Sequence, residues 1–185
     1  MSIITDSSLD QGMQERLHAI KLIVLDVDGV LTDGSITYAE DHSDIKSFHV
    51  QDGFGITLAR QAGLQLGVLT GRSAKAVQRR VDELKFDFYE HGHFYKQDAL
   101  QDMIKAANVT RDEVLYMGDD VLDLVCLPYV GVFVAPANAQ ARARQAASWV
   151  TERRGGDAAV REMINTLLAA QNKLKETEDY FLTNA

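Results

Sequence analysis

The chain has 185 residues, of which 46% are hydrophobic and 25% charged, and its formal net charge is −8. This length and composition predict one globular domain over 1–185, and the acidic balance argues against nucleic acid as a partner. The single cysteine, Cys126, excludes an internal disulfide, and no apolar run is long enough to span a membrane. Residues 1–10 lack the pattern of a secretory signal, so we expect a cytoplasmic protein.

Strand and helix patterns alternate along the chain. The predicted strands are 21–27, 64–70, 86–89, 113–117, 130–134 and 149–150, and a β-hairpin over 35–50, with its tip at 40–44, follows the first of them. Helices are predicted over about 9–20, 52–62, 74–84, 96–107, 138–146 and 160–175, with a short helix over 120–126. Asp52, Ser73 and Asn138 are predicted N-caps. Residues 1–8 are expected to be frayed and 176–185 to be loose.

The alternation predicts an α/β fold with a three-layer, doubly wound, mostly parallel sheet of the Rossmann type, whose core covers about 20–170. The β-hairpin is an insertion in this pattern. Binding sites in such sheets lie at the carboxyl ends of the strands. Asp26, Asp28, Thr70 and Asp119 all come just past predicted strands. We therefore expect these four residues to meet in one crevice.

Two acids close the first predicted strand, where an apolar run is followed by Asp26, Asp28 and Gly29. A buried, unpaired carboxylate costs several kcal/mol or becomes protonated. A cation in a pocket at the strand end would neutralise both acids, and one acid could then be a nucleophile and the other an acid and base. A strand that runs into an acidic turn is the plainer alternative for this segment alone.

Four segments resemble, in order, the motifs of the haloacid dehalogenase-like superfamily of phosphohydrolases. They are Asp26-Val-Asp-Gly-Val-Leu-Thr32, Leu69-Thr-Gly-Arg72, Lys96 and Gly118-Asp-Asp-Val-Leu-Asp123. Singly, each has an ordinary structural explanation, but their order and their positions at strand ends favour a common site. More narrowly, the chain is similar to the 3-deoxy-D-manno-octulosonate 8-phosphate (KDO 8-phosphate) phosphatases. This narrower resemblance lies in Asp26–Gly34, Phe48–Ile56, Gly118–Asp120 and Gly155–Glu162.

The resemblance implies a Mg²⁺-dependent phosphatase that forms an aspartyl-phosphate. Asp26 is then the nucleophile, Asp28 is the acid and base, and Lys96 counters charge on the phosphoryl oxygens. The metal ligands are expected to be Asp26, the backbone carbonyl of Asp28 and Asp119.

Further residues are implied as supports of this chemistry. Thr70 and the amide of Gly71 are expected to donate hydrogen bonds to the phosphoryl oxygens. Asp120 and Asp123 are expected to support the metal site from behind or to orient Lys96.

The implied substrate is a sugar-acid phosphate, KDO 8-phosphate, from lipopolysaccharide precursor biosynthesis. Arg72 and Arg161 are candidate partners for its carboxylate, because guanidinium groups bind carboxylates with two hydrogen bonds. The alternatives are KDN 9-phosphate as substrate, or a non-catalytic oligomerisation module like that joined to sialic acid cytidylyltransferases. Asp28 and Asp119 argue against a dehalogenase. Ala158, at a position where the family commonly has glycine, and the loop 135–139 leave the exact sugar open.

The segments between the motifs are too short for a cap domain, so we expect an open site. The hairpin carries apolar residues without an obvious partner in a βα core: Ile36, Tyr38, Ile45, Phe48 and Val50. The resemblance implies a homotetramer in which four hairpins close into a barrel, which removes the exposed strand edges. Gly155-Gly156 and Arg161 are expected to reach a neighbour's Asp26. The alternative is that the two glycines only form a turn before the last helix.

Overall fold

A computed structural model describes residues 11–40 and 44–184 of the chain. Six parallel strands form the main sheet: β1 (Leu22–Leu25), β4 (Gln65–Thr70), β5 (Phe88–His91), β6 (Val114–Met117), β7 (Val132–Ala135) and β8 (Trp149–Val150). Their spatial order is β5-β4-β1-β6-β7-β8. A separate antiparallel ribbon pairs β2 (Thr37–Tyr38) with β3 (Asp44–Ile45). The frayed segment predicted at 1–8, the start of the first helix at 9–10 and the hairpin tip at 41–43 lie outside the described residues.

Helices connect the parallel strands. They are α1 (Gln11–Ala19), α2 (Val50–Gln61), α3 (Lys75–Leu84), α4 (Gln97–Ala107), α5 (Ala141–Ala146), α6 (Ala159–Ala170) and α7 (Leu174–Thr183), with 3₁₀ helices at Arg111–Glu113 and Val121–Tyr129. Within residues 11–40 and 44–184, no helix is both long and apolar enough to cross a membrane.

The main sheet is buried on both faces. In β1, Ile23 and Leu25 pack in the core that includes side chains of α1, α2, α3 and α6, whereas Leu22 and Val24 pack in the core that includes side chains of α4 and α5. Adjacent residues of a strand point to opposite faces, so a strand covered on both sides must be apolar throughout. The predicted three-layer, doubly wound α/β fold is confirmed.

The central strand β1 lies between β4 and β6. From β1 the chain moves outward through β4 and β5, then returns to the other side for β6, β7 and β8. This reversal places a crevice beyond the carboxyl end of β1, which is where ligands bind in open α/β sheets.

The end of the chain differs from the prediction. A single helix over 160–175 and a loose tail over 176–185 were expected, but α6 ends before Asn172 and α7 occupies Leu174–Thr183. Asn172 has a positive φ of 58°, which turns the chain and allows a second helix to begin. Phe181 of α7 packs edge-on against Phe54 of α2, with ring centroids 5.4 Å apart. That contact explains why the segment is ordered rather than loose.

Three predicted N-caps are wrong. The N-cap of α2 is His49, whose Nδ1 accepts a hydrogen bond from the amide of Gln51 at 3.3 Å, while Asp52 is buried in the first turn. Ser73 does not precede α3, which follows Ala74. The Asn138 side chain accepts a hydrogen bond from a distant amide rather than capping α5.

The hairpin is also shorter than predicted. Among the residues that the structure describes, its ladder contains only the pairs Thr37–Ile45 and Tyr38–Asp44. Val50 begins α2 instead of ending a strand, and Phe48 packs against the main core. An arginine guanidinium, from Arg80, covers the Phe48 ring at 5.7 Å. Phe48 therefore does not belong to the exposed apolar surface of the ribbon.

Candidate active site

A cavity of about 330 Å³ lies at the carboxyl ends of β1, β4 and β6. It is lined by Asp26, Asp28, Gly34, Thr70, Gly71, Arg72, Phe94, Lys96, Asp119, Asp120, Leu122 and Asp123. Nine of these twelve residues were selected from the sequence, and they come from segments that span nearly 100 positions. Arg161 is the one selected residue that does not line this cavity.

The turn after β1 brings two acids to the cavity. The amide of Asp26 still donates to the carbonyl of Met117 in β6 at 3.0 Å, so Asp26 is fixed by the sheet. Gly29 then adopts a positive φ of 87°. A Cβ at this position would lie 2.2 Å from Oδ2 of Asp119. Glycine is thus required both by the backbone conformation and by the close approach of Asp119.

Lys96 lies between two carboxylates at the floor of the cavity. Its Nζ is 2.8 Å from Oδ1 of Asp26 and 2.7 Å from Oδ1 of Asp123, and the residue is only 4% exposed. Burial alone would lower the pKa of Lys96, but the charges of Asp26 and Asp123 outweigh it and raise that pKa. Lys96 is therefore a fixed positive charge beside Asp26.

Asp123 holds this lysine and the neighbouring loop in place. Oδ1 accepts hydrogen bonds from Lys96 Nζ and from the Tyr116 hydroxyl, both at 2.7 Å. Oδ2 accepts from the amides of Asp119 at 2.9 Å and Asp120 at 3.1 Å. Each Asp123 oxygen thus accepts two hydrogen bonds from the protein.

Tyr116 supports the site through Asp123, and its position in the sequence does not reveal this contact. This residue is fully buried in β6, where its ring stacks on Phe133 with a centroid separation of 5.8 Å. An aromatic residue in a buried strand is usually a core residue, so its position gave no signal. Only the fold shows that its hydroxyl reaches Asp123.

The carboxylates form a cluster suited to a hard cation. One oxygen from each of Asp26, Asp119 and Asp123 lies within 4.8 Å of the others. Burial raises the pKa of Asp26 to about 7, although Lys96 opposes the rise. Burial, together with the charges of Asp123 and Asp120, likewise raises the pKa of Asp119 to about 7. Such crowding of desolvated oxygen ligands fits Mg²⁺, which prefers carboxylate and carbonyl oxygens.

The loop after β4 supplies candidate phosphate-binding groups. Thr70 is 2% exposed, and its Oγ1 accepts a hydrogen bond from the amide of Arg72 at 3.3 Å. Its hydroxyl hydrogen can still be donated into the cavity. The Arg72 guanidinium donates to Oδ2 of Asp44 at 3.0 Å, and its Nε is 3.9 Å from Oδ2 of Asp28.

A second missed residue is Lys46, next to β3. Its Nζ is paired with Oδ1 of Asp28, and its side chain is only 1% exposed. The sequence gives no sign of this pair, because its members are 18 positions apart and no periodic pattern relates the ribbon to the end of β1. Phe94 and Leu122, which line the cavity with apolar surface, were not selected either.

Arg161 lies outside the cavity of its own chain. From α6, its Nε donates to Asn165 at 2.8 Å, and its Nη2 lies 3.3 Å from Oε1 of Glu178. The guanidinium also lies 5.3 Å from the ring centroid of Phe54. A role in a neighbour's site stays a prediction.

Gly155 and Gly156 pack against the turn after β1 of their own chain. The amide of Gly156 donates to the carbonyl of Val30 at 3.1 Å, and a Cβ on Gly155 would lie 1.7 Å from the carbonyl oxygen of Gly29. These contacts fit the alternative in which the two glycines form a turn before the last helix, and a reach into a neighbouring site stays a prediction. They approach their own catalytic turn so closely that no side chain fits.

The fold and this set of residues are those of a haloacid dehalogenase-like hydrolase. A family model for haloacid dehalogenase-like hydrolases matches residues 90–164. The chain is 40% identical over 161 residues to the 3-deoxy-D-manno-octulosonate 8-phosphate phosphatase KdsC of Haemophilus influenzae, covering 87% of this chain and 89% of that protein.

Two solved structures are also similar. One is the phosphatase of the same name from Moraxella catarrhalis in complex with magnesium ion, phosphate ion and KDO, with a TM-score of 0.89, 33% identity, and coverage of 94% of this chain and 99% of the other. Another is the cobalt-bound Haemophilus influenzae enzyme, with a TM-score of 0.86, 38% identity, and coverage of 90% and 99%. The chain belongs to the family of 3-deoxy-D-manno-octulosonate 8-phosphate phosphatases.

Proposed function

We propose that this protein is a Mg²⁺-dependent phosphatase that hydrolyses KDO 8-phosphate to KDO and phosphate. The observation that carries the proposal is the cavity in which Asp26, Asp28, Lys96 and Asp119 meet. The named relatives act on this substrate or bind its product, and the regions of similarity cover most of this chain.

In the first step, a carboxylate oxygen of Asp26 attacks phosphorus and the ester P–O bond breaks. The electron pair of that bond goes to the sugar oxygen, which takes a proton from Asp28. In the second step, Asp28 removes a proton from water as the water attacks the phosphorus of the aspartyl-phosphate, which releases Asp26 and phosphate. Lys96, 2.8 Å from Asp26, balances negative charge in both steps.

The metal site is proposed at Asp26, Asp119 and the backbone carbonyl of Asp28. When bound, Mg²⁺ screens the phosphoryl oxygens so that an anionic carboxylate can approach an anionic ester. Asp123 and Asp120 are assigned to the support of this site. The Asp123 oxygens already accept four hydrogen bonds, and the Asp120 side chain accepts one from the amide of Val121 at 2.5 Å.

The phosphate and sugar ends of the substrate are assigned to different groups. The Thr70 hydroxyl and the amide of Gly71 donate to the phosphoryl oxygens at the end of β4. Arg72, at the same cavity, is proposed to bind the substrate carboxylate, for which it would exchange its hydrogen bond to Asp44. The buried thiol of Cys126 suits the reducing cytoplasm, where we place the enzyme.

The test is phosphate release from KDO 8-phosphate, KDN 9-phosphate, glucose 6-phosphate and p-nitrophenyl phosphate. We expect the highest kcat/KM on KDO 8-phosphate, loss of activity with EDTA, and recovery with Mg²⁺. Asp26→Asn should lower kcat by at least about 10³-fold, because it removes the attacking group. A matched control is Asp102→Asn, at an exposed acid on α4. Activity that survives chelation, or near wild-type turnover by Asp26→Asn, would refute the proposed mechanism.

We further propose that the protein is a homotetramer assembled through its β2–β3 ribbons. A two-stranded ribbon is marginally stable alone. Three of its apolar side chains are largely exposed, namely Ile36 at 44%, Tyr38 at 66% and Ile45 at 53%. Burial against the ribbons of other copies would remove this surface and the open strand edges from water.

Light scattering tests this assembly. We expect a mass near four times 20.5 kDa for the intact chain, and a much smaller mass for the double variant Ile36→Asp/Ile45→Asp. Leu182→Asp is the control, because Leu182 is 79% exposed on α7, away from the ribbon. A monomeric intact chain would exclude the tetramer.

A further inference from the structure

Besides its exposed apolar surface, the ribbon carries a polar contact to the catalytic acid Asp28. Lys46 follows β3 directly, and its ammonium group is paired with Oδ1 of Asp28. Two residues earlier, Asp44 accepts a hydrogen bond from Arg72, which itself lies beside Asp28. The segment Asp44–Lys46 therefore contacts both polar groups that face the sugar side of the cavity.

The Lys46 side chain is almost completely removed from water. Its side chain is 1% exposed, whereas that of Asp28 is 23% exposed. Withdrawing an ammonium group from water costs several kcal/mol, and only a well-placed partner offsets the cost. A lysine that merely anchored the ribbon would do so at lower cost from an exposed position.

The two oxygens of Asp28 have different neighbours. Oδ1 is paired with Lys46 and lies 3.5 Å from the hydroxyl of Thr32. Oδ2 has the Arg72 Nε as a more distant neighbour, at 3.9 Å. Lys46 and Thr32 thus fix one oxygen and leave the other for the reacting ester.

We propose that Lys46 is a positioning residue for the proton transfer, which holds Asp28 by Oδ1 so that Oδ2 faces the leaving sugar oxygen. The inference rests on the proposed phosphatase function. As the P–O bond breaks, its electron pair goes to the sugar oxygen, and the proton on Oδ2 follows. Without Lys46 the Asp28 carboxyl group keeps only its longer contacts to Thr32 and Arg72, so it rotates more readily and the proton is less often in line with that oxygen.

Two esters separate this role from a merely structural one. The alkoxide of a sugar needs a proton in order to leave, whereas p-nitrophenolate departs as a stable anion. The quantity to compare is kcat/KM, since it covers the steps up to the release of the first product. We expect Lys46→Met to lower kcat/KM on the preferred sugar phosphate by about 10- to 100-fold, and on p-nitrophenyl phosphate by less than about threefold.

Two further variants sharpen the test. Lys46→Arg keeps the charge, so it should recover the sugar phosphate activity to within about fivefold of wild type. In an Asp28→Asn background, Lys46→Met should change kcat/KM by less than about twofold, because the residue acts through Asp28. Lys105→Met is the control for loss of a lysine, as Lys105 is exposed on α4 and its side chain is 74% accessible.

The outcomes are distinct. Equal losses on the two esters, no recovery by Lys46→Arg, or additive losses in the Asp28→Asn background would each overturn the inference. If the wild type hydrolyses neither ester, it is the proposed function that fails. If the wild type prefers another sugar phosphate, that ester replaces KDO 8-phosphate and the comparison stands.

Discussion

Asp52 is a buried acid whose replacement should change how stability depends on pH. It lies in the first turn of α2 with 2% of its surface exposed, and Oδ1 accepts a hydrogen bond from the amide of Arg161 at 2.7 Å. Oδ2 has no hydrogen-bond partner among residues 11–40 and 44–184. Burial raises the pKa of Asp52 to about 6, against the opposing effects of the Arg161 and Ala158 amides, His49 and Arg80.

The sign of the effect follows from proton binding. Between pH 4 and 6 the folded chain holds a proton on Asp52 that the unfolded chain, with an ordinary pKa near 3.8, has largely released. The free energy of unfolding therefore falls as the pH rises through this window. A shift from 3.8 to about 6 corresponds to about 3 kcal/mol in full, of which about 2–3 kcal/mol is lost between pH 4 and 8.

Urea unfolding of wild type and Asp52→Asn at fixed protein concentration, from pH 4 to pH 8, measures this effect. Asparagine keeps the oxygen that accepts from Arg161 and has no charge, so any cost of its buried amide is the same at every pH. We expect the stability of wild type minus that of the variant to fall by about 2–3 kcal/mol across the range. Asp102→Asn, whose side chain is 76% exposed, should give a nearly flat difference. A flat difference for Asp52→Asn, or one that rises with pH, would show that the pKa of Asp52 is not raised in the folded chain.

Two other substitutions test particular contacts. Ala158 has a φ of 69°, a conformation that costs a residue with a Cβ about 1 kcal/mol. Ala158→Gly should therefore raise the free energy of unfolding by about that amount. The control Ala169→Gly, in the helix α6, should lower it. A loss of stability in Ala158→Gly would contradict this account. Tyr116→Phe removes the buried hydroxyl that donates to Asp123 at 2.7 Å. Thermal unfolding should show that the free energy of unfolding falls by about 1.5–3 kcal/mol. Tyr95→Phe, at a position that is 71% exposed, is the control and should leave it unchanged. An unchanged melting temperature in Tyr116→Phe would mean that the hydroxyl adds nothing to the support of Asp123.

The meeting of Asp26, Asp28, Thr70 and Asp119 could be predicted because it depends on strand direction alone. Parallel strands place their carboxyl ends at one edge, so a polar residue just past each strand faces the same crevice. This prediction does not require the exact residue at which each strand ends. The central position of β1, between β4 and β6, then brings these residues into one cavity.

Contacts that depend on irregular chain could not be predicted in the same way. Lys46 reaches Asp28 only because the ribbon folds back over the carboxyl end of β1, and no periodic pattern encodes that path. The helix α7 was missed for a related reason, since Phe181 packs on Phe54 of α2 in a tertiary contact that the local sequence of α7 does not reveal. Local patterns fix local structure, whereas these contacts arise from the tertiary fold.

Three segments that resemble the KDO 8-phosphate phosphatases are far apart in the sequence but adjacent in the fold. The turn after β1, the start of α2 and the approach to α6 pack on one another. Gly156 donates to Val30 in the catalytic turn, while Asp52 of α2 accepts from the Arg161 amide in the first turn of α6. The first link joins the approach to α6 to the catalytic turn, and the second joins α2 to α6; none of the four residues involved lines the cavity. These links support the turn that carries Asp28, and we expect the choice of sugar to depend on Arg72 and the ribbon, whose Lys46 contacts Asp28 directly.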